Sequence, residues 1–93
     1  MNDRAEQRIA EIDQRLRAAL APESLEIEDD SHLHAGHAGA RGGAGHYGVT
    51  VVSDKFQGLT TVERHRLVYD AVRDMMPAEI HALRISAYAP DEI

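Results

Sequence analysis

Six histidines, His32, His34, His37, His46, His65 and His81, are the side chains of this 93-residue chain best suited to chemistry. A neutral imidazole is a good metal ligand, and it is the side chain whose unperturbed charge changes nearest neutral pH. The chain has no cysteine, so it has no thiolate nucleophile, no disulfide and no cysteine-based zinc or iron-sulfur site of its own. Soft-metal chemistry would therefore have to be shared with another molecule. Three of the histidines stand in SHLHAGHAGARGGAG, Ser31 to Gly45. Such tracts can bind metal, although a glycine-alanine loop also carries polar residues simply to remain solvated. His81 reads either as a ligand or as a strand-end histidine bonded to backbone. In Arg64-His65-Arg66 the histidine reads as a surface or capping residue, and the three side chains together as a contact for an anionic partner.

Other catalytic patterns are missing. The glycines Gly39, Gly42, Gly43 and Gly45 are not followed by the Gly-Lys-Ser/Thr of a phosphate-binding loop. There is no HExxH and no Ser-His-Asp arrangement with supporting context, so an enzyme is not expected. Sixteen Asp and Glu against ten Lys and Arg give a formal charge of -6, which repels phosphate backbones unless the basic residues cluster.

The elements that must position these residues follow from periodicity. Ala5, Ile9, Ile12, Leu16 and Leu20 recur at three- and four-residue steps and predict an amphipathic helix from Asp3 to Leu20, stopped by Pro22. Ser24 to Asp29 alternates as a strand, with Leu25 and Ile27 on one face. Ser31 to Gly45 has neither period and is expected to be a flexible loop. His46 to Ser53 returns to alternation, placing Tyr47, Val49 and Val51 together. Thr60 and Glu63 form a capping box that opens a second helix to about Met76, with Val62, Leu67, Val68, Ala71, Val72, Met75 and Met76 as its buried stripe and Pro77 beyond its end. Ile80 to Tyr88 is the last strand.

The order α-β-β-α-β predicts one α+β domain over residues 1–93, since a chain this short supports one core. The first two strands pair as an antiparallel hairpin, and the helical crossover makes the second and third parallel. Parallel strands begin at the same end, so the loop histidines and His81 are expected to converge. Parity puts His81 on the face of Leu83, Ile85 and Ala87, at the strand's first turn, where it is oriented by packing yet reachable. No apolar run approaches the roughly 20 residues of a membrane span, and the first ten residues are too polar for a signal peptide. A cytoplasmic protein is expected.

Several separated segments then agree in order. Val49 to Arg66, VTVVSDKFQGLTTVERHR, resembles the central signature of the BolA family: a valine-rich strand, a Ser-Asp-x-Phe-x-Gly turn and an Arg-His-Arg helix opening. Leu67 to Met76, Ile80-His81-Ala82-Leu83 and LEIEDDS from Leu25 to Ser31 also match. The resemblance implies a class II KH-like αββαβ fold, a three-stranded mixed sheet with the helices on one face. It also implies a non-enzymatic partner of a monothiol glutaredoxin, in a heterodimer that shares a [2Fe-2S] cluster with glutathione and acts in iron-sulfur trafficking or iron regulation. No cluster is expected on the isolated chain, a monomer or weak dimer. Residue by residue, it makes His81 one cluster ligand and a loop histidine the second. The Asp-Ser-x-x-His spacing from Asp30 selects His34, with His46 as the alternative ligand. The loop departs from the family pattern in its extra glycines and in His32 and His37.

Two rival readings remain. A KH-like fold and family members described as transcriptional regulators suggest single-stranded nucleic acid or DNA binding through Arg64, His65 and Arg66. KH modules clamp the backbone with a GXXG loop, however, and Gly58-Leu59-Thr60-Thr61 lacks the second glycine. The other is a stress-response adaptor that docks through its first helix.

Overall fold

In the computed structural model, which describes residues 3–30 and 45–93, the chain forms α1 (Asp3–Leu20), β1 (Ser24–Asp29), β2 (Gly45–Val52), α2 (Thr61–Ala71) and β3 (Ile80–Tyr88). Three short 3-10 turns, Asp54–Phe56, Arg73–Met75 and Pro90–Glu92, punctuate the second half. The sheet order is β1-β2-β3, with β1 antiparallel and β3 parallel to β2. This is the predicted α+β KH-like topology.

Burial follows the two sequence periods. Ile12, Leu16 and Leu20, one helical turn apart, present a buried stripe of α1, and Tyr47, Val49 and Val51 present the alternate positions of β2. They meet Phe56, Val68, Val72 and Met75 in one core, with Leu25, Ile27, Ile85 and Ala87 packed at its margin. Ser53 ties the layers: its buried hydroxyl donates to the Leu20 carbonyl at 2.6 Å and accepts from the Lys55 N–H at 3.1 Å.

The α2 capping box forms as predicted. Thr60 Oγ1 accepts from the Glu63 N–H at 3.2 Å, and the Glu63 carboxylate accepts from the Thr60 N–H at 2.9 Å. The helix ends earlier than expected, at Ala71 rather than near Met76. Pro77 biases Met76 towards extended backbone, and Met76 adopts φ -107 and ψ 140. The last turn accordingly tightens, with the Met75 N–H bonded to the Val72 carbonyl at 2.9 Å. Val62 departs from the predicted stripe. It is 65% exposed, facing solvent instead of the sheet. Among the described residues no helix is long and apolar enough to cross a membrane.

Candidate functional site

The start of β3 carries an irregularity that periodicity did not disclose. Gly45 pairs with Ile80 and His46 with Ala82, so His81 is an extra residue with no partner on β2. Such a β-bulge re-aims a side chain and breaks strand parity. Ile80 therefore takes the fully buried position, and His81, expected on the face of Leu83 and Ile85, is exposed. Its ring lies beside that of His46, with centroids 5.0 Å apart and planes tilted by 57°. His46, next to the core residue Tyr47 but on the opposite face of β2, is buried. One end of the sheet thus brings together two imidazoles 35 positions apart in sequence.

That separation suits a metal. With metal-nitrogen distances of about 2 Å, two imidazoles at tetrahedral positions on one ion have ring centroids about 5 Å apart. Among the described residues no group of three or more His, Asp and Glu converges on a point, so His46 and His81 provide two donors and leave the rest of a coordination shell to another molecule.

The segments bearing the two histidines are bracketed from behind. Gly45 N–H donates to the Glu79 carbonyl at 3.0 Å, joining the residue before His46 to one just before His81. Arg8 of α1, only 8% exposed, reaches the Glu79 carboxylate at 3.9 Å and donates to the Tyr47 hydroxyl. Burial pushes the Tyr47 phenol above its usual range, the bond from Arg8 pulling the other way. The Tyr47 ring lies over Gly45, where an added Cβ would meet its hydroxyl at 2.5 Å and its ring carbons at 2.6 Å. Gly45→Ala must displace a ring that is itself buried, and is expected to cost about 1–3 kcal/mol of folding stability, as overpacking generally does. Urea denaturation checks this. An unchanged midpoint would show that the ring yields freely.

On the outer face, Arg84 lies across Gly48, whose missing side chain makes the space. Its guanidinium reaches Glu28 at 2.9 Å and Asp30 at 3.1 Å, while the Asp30 N–H donates to the His46 carbonyl at 2.7 Å. The end of β1 is thereby held against the histidine strand. Arg8, Glu79 and Arg84 were not singled out by sequence reasoning, and Tyr47 only as an alternating strand residue. The available signal was Gly45 and Gly48 within a strand, since glycine there often marks a bulge or a close approach.

The other expected site residues are distributed differently. His34, with His32 and His37, lies outside the described residues. Arg64 sits at the far end of β3 from His81. It donates to the carbonyls of Leu59 at 3.0 Å and Ala87 at 3.1 Å, pairs with both carboxylate oxygens of Glu92, and its guanidinium carbon lies 6.0 Å from the Phe56 ring centroid. It is a latch that closes the C-terminal turn. Arg66 is exposed and His65 half-buried.

The latch has a pH signature. The hydrogen bonds from Arg64 and then from the Ala89 N–H hold the Glu92 carboxyl at about 2, below its ordinary 4.5. A depressed carboxylate contributes stability above its unfolded value and loses it as pH falls through the folded one. The gap in urea midpoint between wild type and Glu92→Gln should therefore be present at pH 5 and shrink towards pH 2. A gap constant over that range would contradict the latch.

A mixed three-stranded sheet in αββαβ order, with both helices on one face and two imidazoles at the mouth of its parallel pair, defines a KH-like α+β domain. The chain belongs to the BolA-like protein family, whose profile matches residues 16–92. It is similar to SufE-like protein 1, chloroplastic/mitochondrial, of Arabidopsis thaliana, 46% identical over 87 residues that make up 88% of this chain and 24% of that protein. It is also similar to Protein BOLA1, chloroplastic, of the same plant, at 41% over 90 residues, 94% of this chain and 56% of that protein. The solved BolA domain of SufE1 from Arabidopsis thaliana superposes with a TM-score of 0.80 at 42% identity, covering 90% of this chain and 93% of that one. The chain thus spans from about a quarter to just over half the length of these curated relatives.

Proposed function

We propose that this chain is a non-enzymatic partner of a monothiol glutaredoxin, lending His81 and His46 to a shared [2Fe-2S] cluster in iron-sulfur trafficking or iron regulation. The observation that carries the reading is the 5.0 Å separation of the two rings, which fits both donors on one iron. Four terminal ligands are needed, and the chain has no thiol. A glutaredoxin cysteine and a glutathione thiol supply the other two. Histidine in place of thiolate makes such a cluster less negative and raises its reduction potential, as in Rieske centres. The family resemblance points to His34 as the second ligand; in this reading His46 takes that position, beside His81.

The bulge lets His81 leave the ladder without breaking it, and the Arg8 and Arg84 contacts keep the ends of β1, β2 and β3 in register behind the rings. The nucleic-acid reading loses support, because Arg64 is committed to Glu92 and to two backbone carbonyls. Location is part of the proposal: a cytoplasmic setting is expected from composition, two relatives are named for other compartments, and the chemistry needs only glutaredoxin and glutathione. Co-expression with a monothiol glutaredoxin tests the reading. A one-to-one complex is expected, with a visible circular dichroism spectrum unlike that of the glutaredoxin's own cluster-bound homodimer. Identical spectra, or no complex, would contradict it.

A further inference from the structure

We propose that the solvent face of α2 formed by Val62, His65, Arg66 and Tyr69 is the surface on which the cluster-sharing partner docks, through a patch of carboxylates around an apolar side chain. This rests on the shared-cluster reading above and names the surface it requires. The four residues follow the i, i+3, i+4, i+7 spacing of one helical face and line a shallow groove. Val62 is 65% and Tyr69 39% exposed, so the groove has apolar walls without a neighbour to cover them.

Charge sets the face apart. Arg8, Arg15, Arg17, Arg64, Arg73 and Arg84 each stand in an ion pair. Arg66 stands in no such pair, alone among the arginines whose side chains are described. In a chain of net charge -6, an exposed guanidinium between a valine and a tyrosine, with Glu63 of its own helix as a charged neighbour, complements acidic groups on a partner. Tyrosine and arginine are also the residue types enriched where protein surfaces meet.

Position supplies the second argument. Tyr69 Oη donates to the Leu83 carbonyl at 3.2 Å, two residues beyond His81, while Arg64 reaches the Ala87 carbonyl. The helix therefore runs antiparallel to β3 along its open edge, with its Tyr69 end towards the histidines. Val62 lies about 10 Å further along the helix, seven residues at 1.5 Å each. A stable interface buries roughly 800 Å² on each partner, far more than two imidazoles supply. The α2 face, whose Tyr69 end is bonded to Leu83 two residues beyond His81, extends the contact, whereas the outer sheet face beside Gly48 is taken up by the Arg84 ion pairs.

The test is the affinity of the full chain for an apo monothiol glutaredoxin in the presence of glutathione, measured by calorimetry. Arg66→Glu and Val62→Asp should each weaken binding on the order of tenfold. Arg66→Lys should largely retain it, and Arg17→Glu on α1 should leave it unchanged. Circular dichroism and zinc binding by the His46 and His81 pair should be the same in all variants, because each altered side chain is exposed. Equal affinities for wild type and both α2 variants would overturn the docking surface while leaving the ligand assignment intact. Failure of wild type itself to bind would instead defeat the shared-cluster reading. Sedimentation showing that the chain dimerises alone, and that Val62→Asp abolishes the dimer, would assign the face to a second copy and overturn the inference.

Discussion

Phe56→Ala is expected to lower folding stability by about 3–5 kcal/mol, the range for removing a buried aromatic ring. Phe56 is fully buried although it stands in a three-residue 3-10 turn, where β2 hands over to α2. Its ring joins the core shared by α1, β2 and α2, and the Arg64 guanidinium lies against it. Truncation opens a cavity whose walls are the sheet and a capped helix, neither of which collapses easily. It also removes the platform under the Arg64 latch. Domains of this size are stable by only about 5–15 kcal/mol, so the loss would be a large share of the total. Urea denaturation should show a lower midpoint with an unchanged slope. A loss under 1 kcal/mol would mean that the turn repacks and is not a pillar of the core.

The largest functional effect is expected from the histidine pair, and it is measurable without the partner. If both imidazoles bind one ion, His81→Ala should weaken zinc binding by more than the about 10–100-fold typical of losing a supporting group around a metal site. His46→Gln should do the same, keeping a polar side chain in a buried place. The double variant should be little worse than either single one, because ligands to one ion act as a unit and their losses do not add. His81 is exposed, so its removal should leave the thermal midpoint nearly unchanged. Strictly additive losses in binding would place the two rings in separate sites.

Much of this architecture is local, and what is local was legible. The α1 stripe from Ile12 to Leu20, the alternation of Tyr47, Val49 and Val51, and the Thr60-Glu63 box are each set by neighbours within four residues. The convergence of β2 and β3 at one end followed from the handed crossover. What escaped depends on pairing between distant segments. His81 leaves strand parity because β3 has one residue more than β2 at that point, a mismatch visible only once the register is fixed. Val62 is apolar but falls about 120° round the helix from Val68, on the face of His65, Arg66 and Tyr69, so its outward position follows from angular spacing that the apolar residue type masked. The bracket of Arg8, Tyr47 and Glu79 joins three elements, and nothing in any one of them announces it. Family resemblance singled out His81 and, as the alternative ligand, the His46 that stands beside it. Its first choice, His34, lies outside the described residues.

The central claim is that two imidazoles of this chain bind the shared iron. The most direct measurement is pulsed electron paramagnetic resonance of the reduced heterocomplex, prepared with the chain alone carrying nitrogen-15 histidine. Two strongly coupled histidine nitrogens are predicted, with one lost in His46→Gln and one in His81→Ala. A spectrum with no coupling to labelled nitrogen, or one that both substitutions leave intact, would contradict the account.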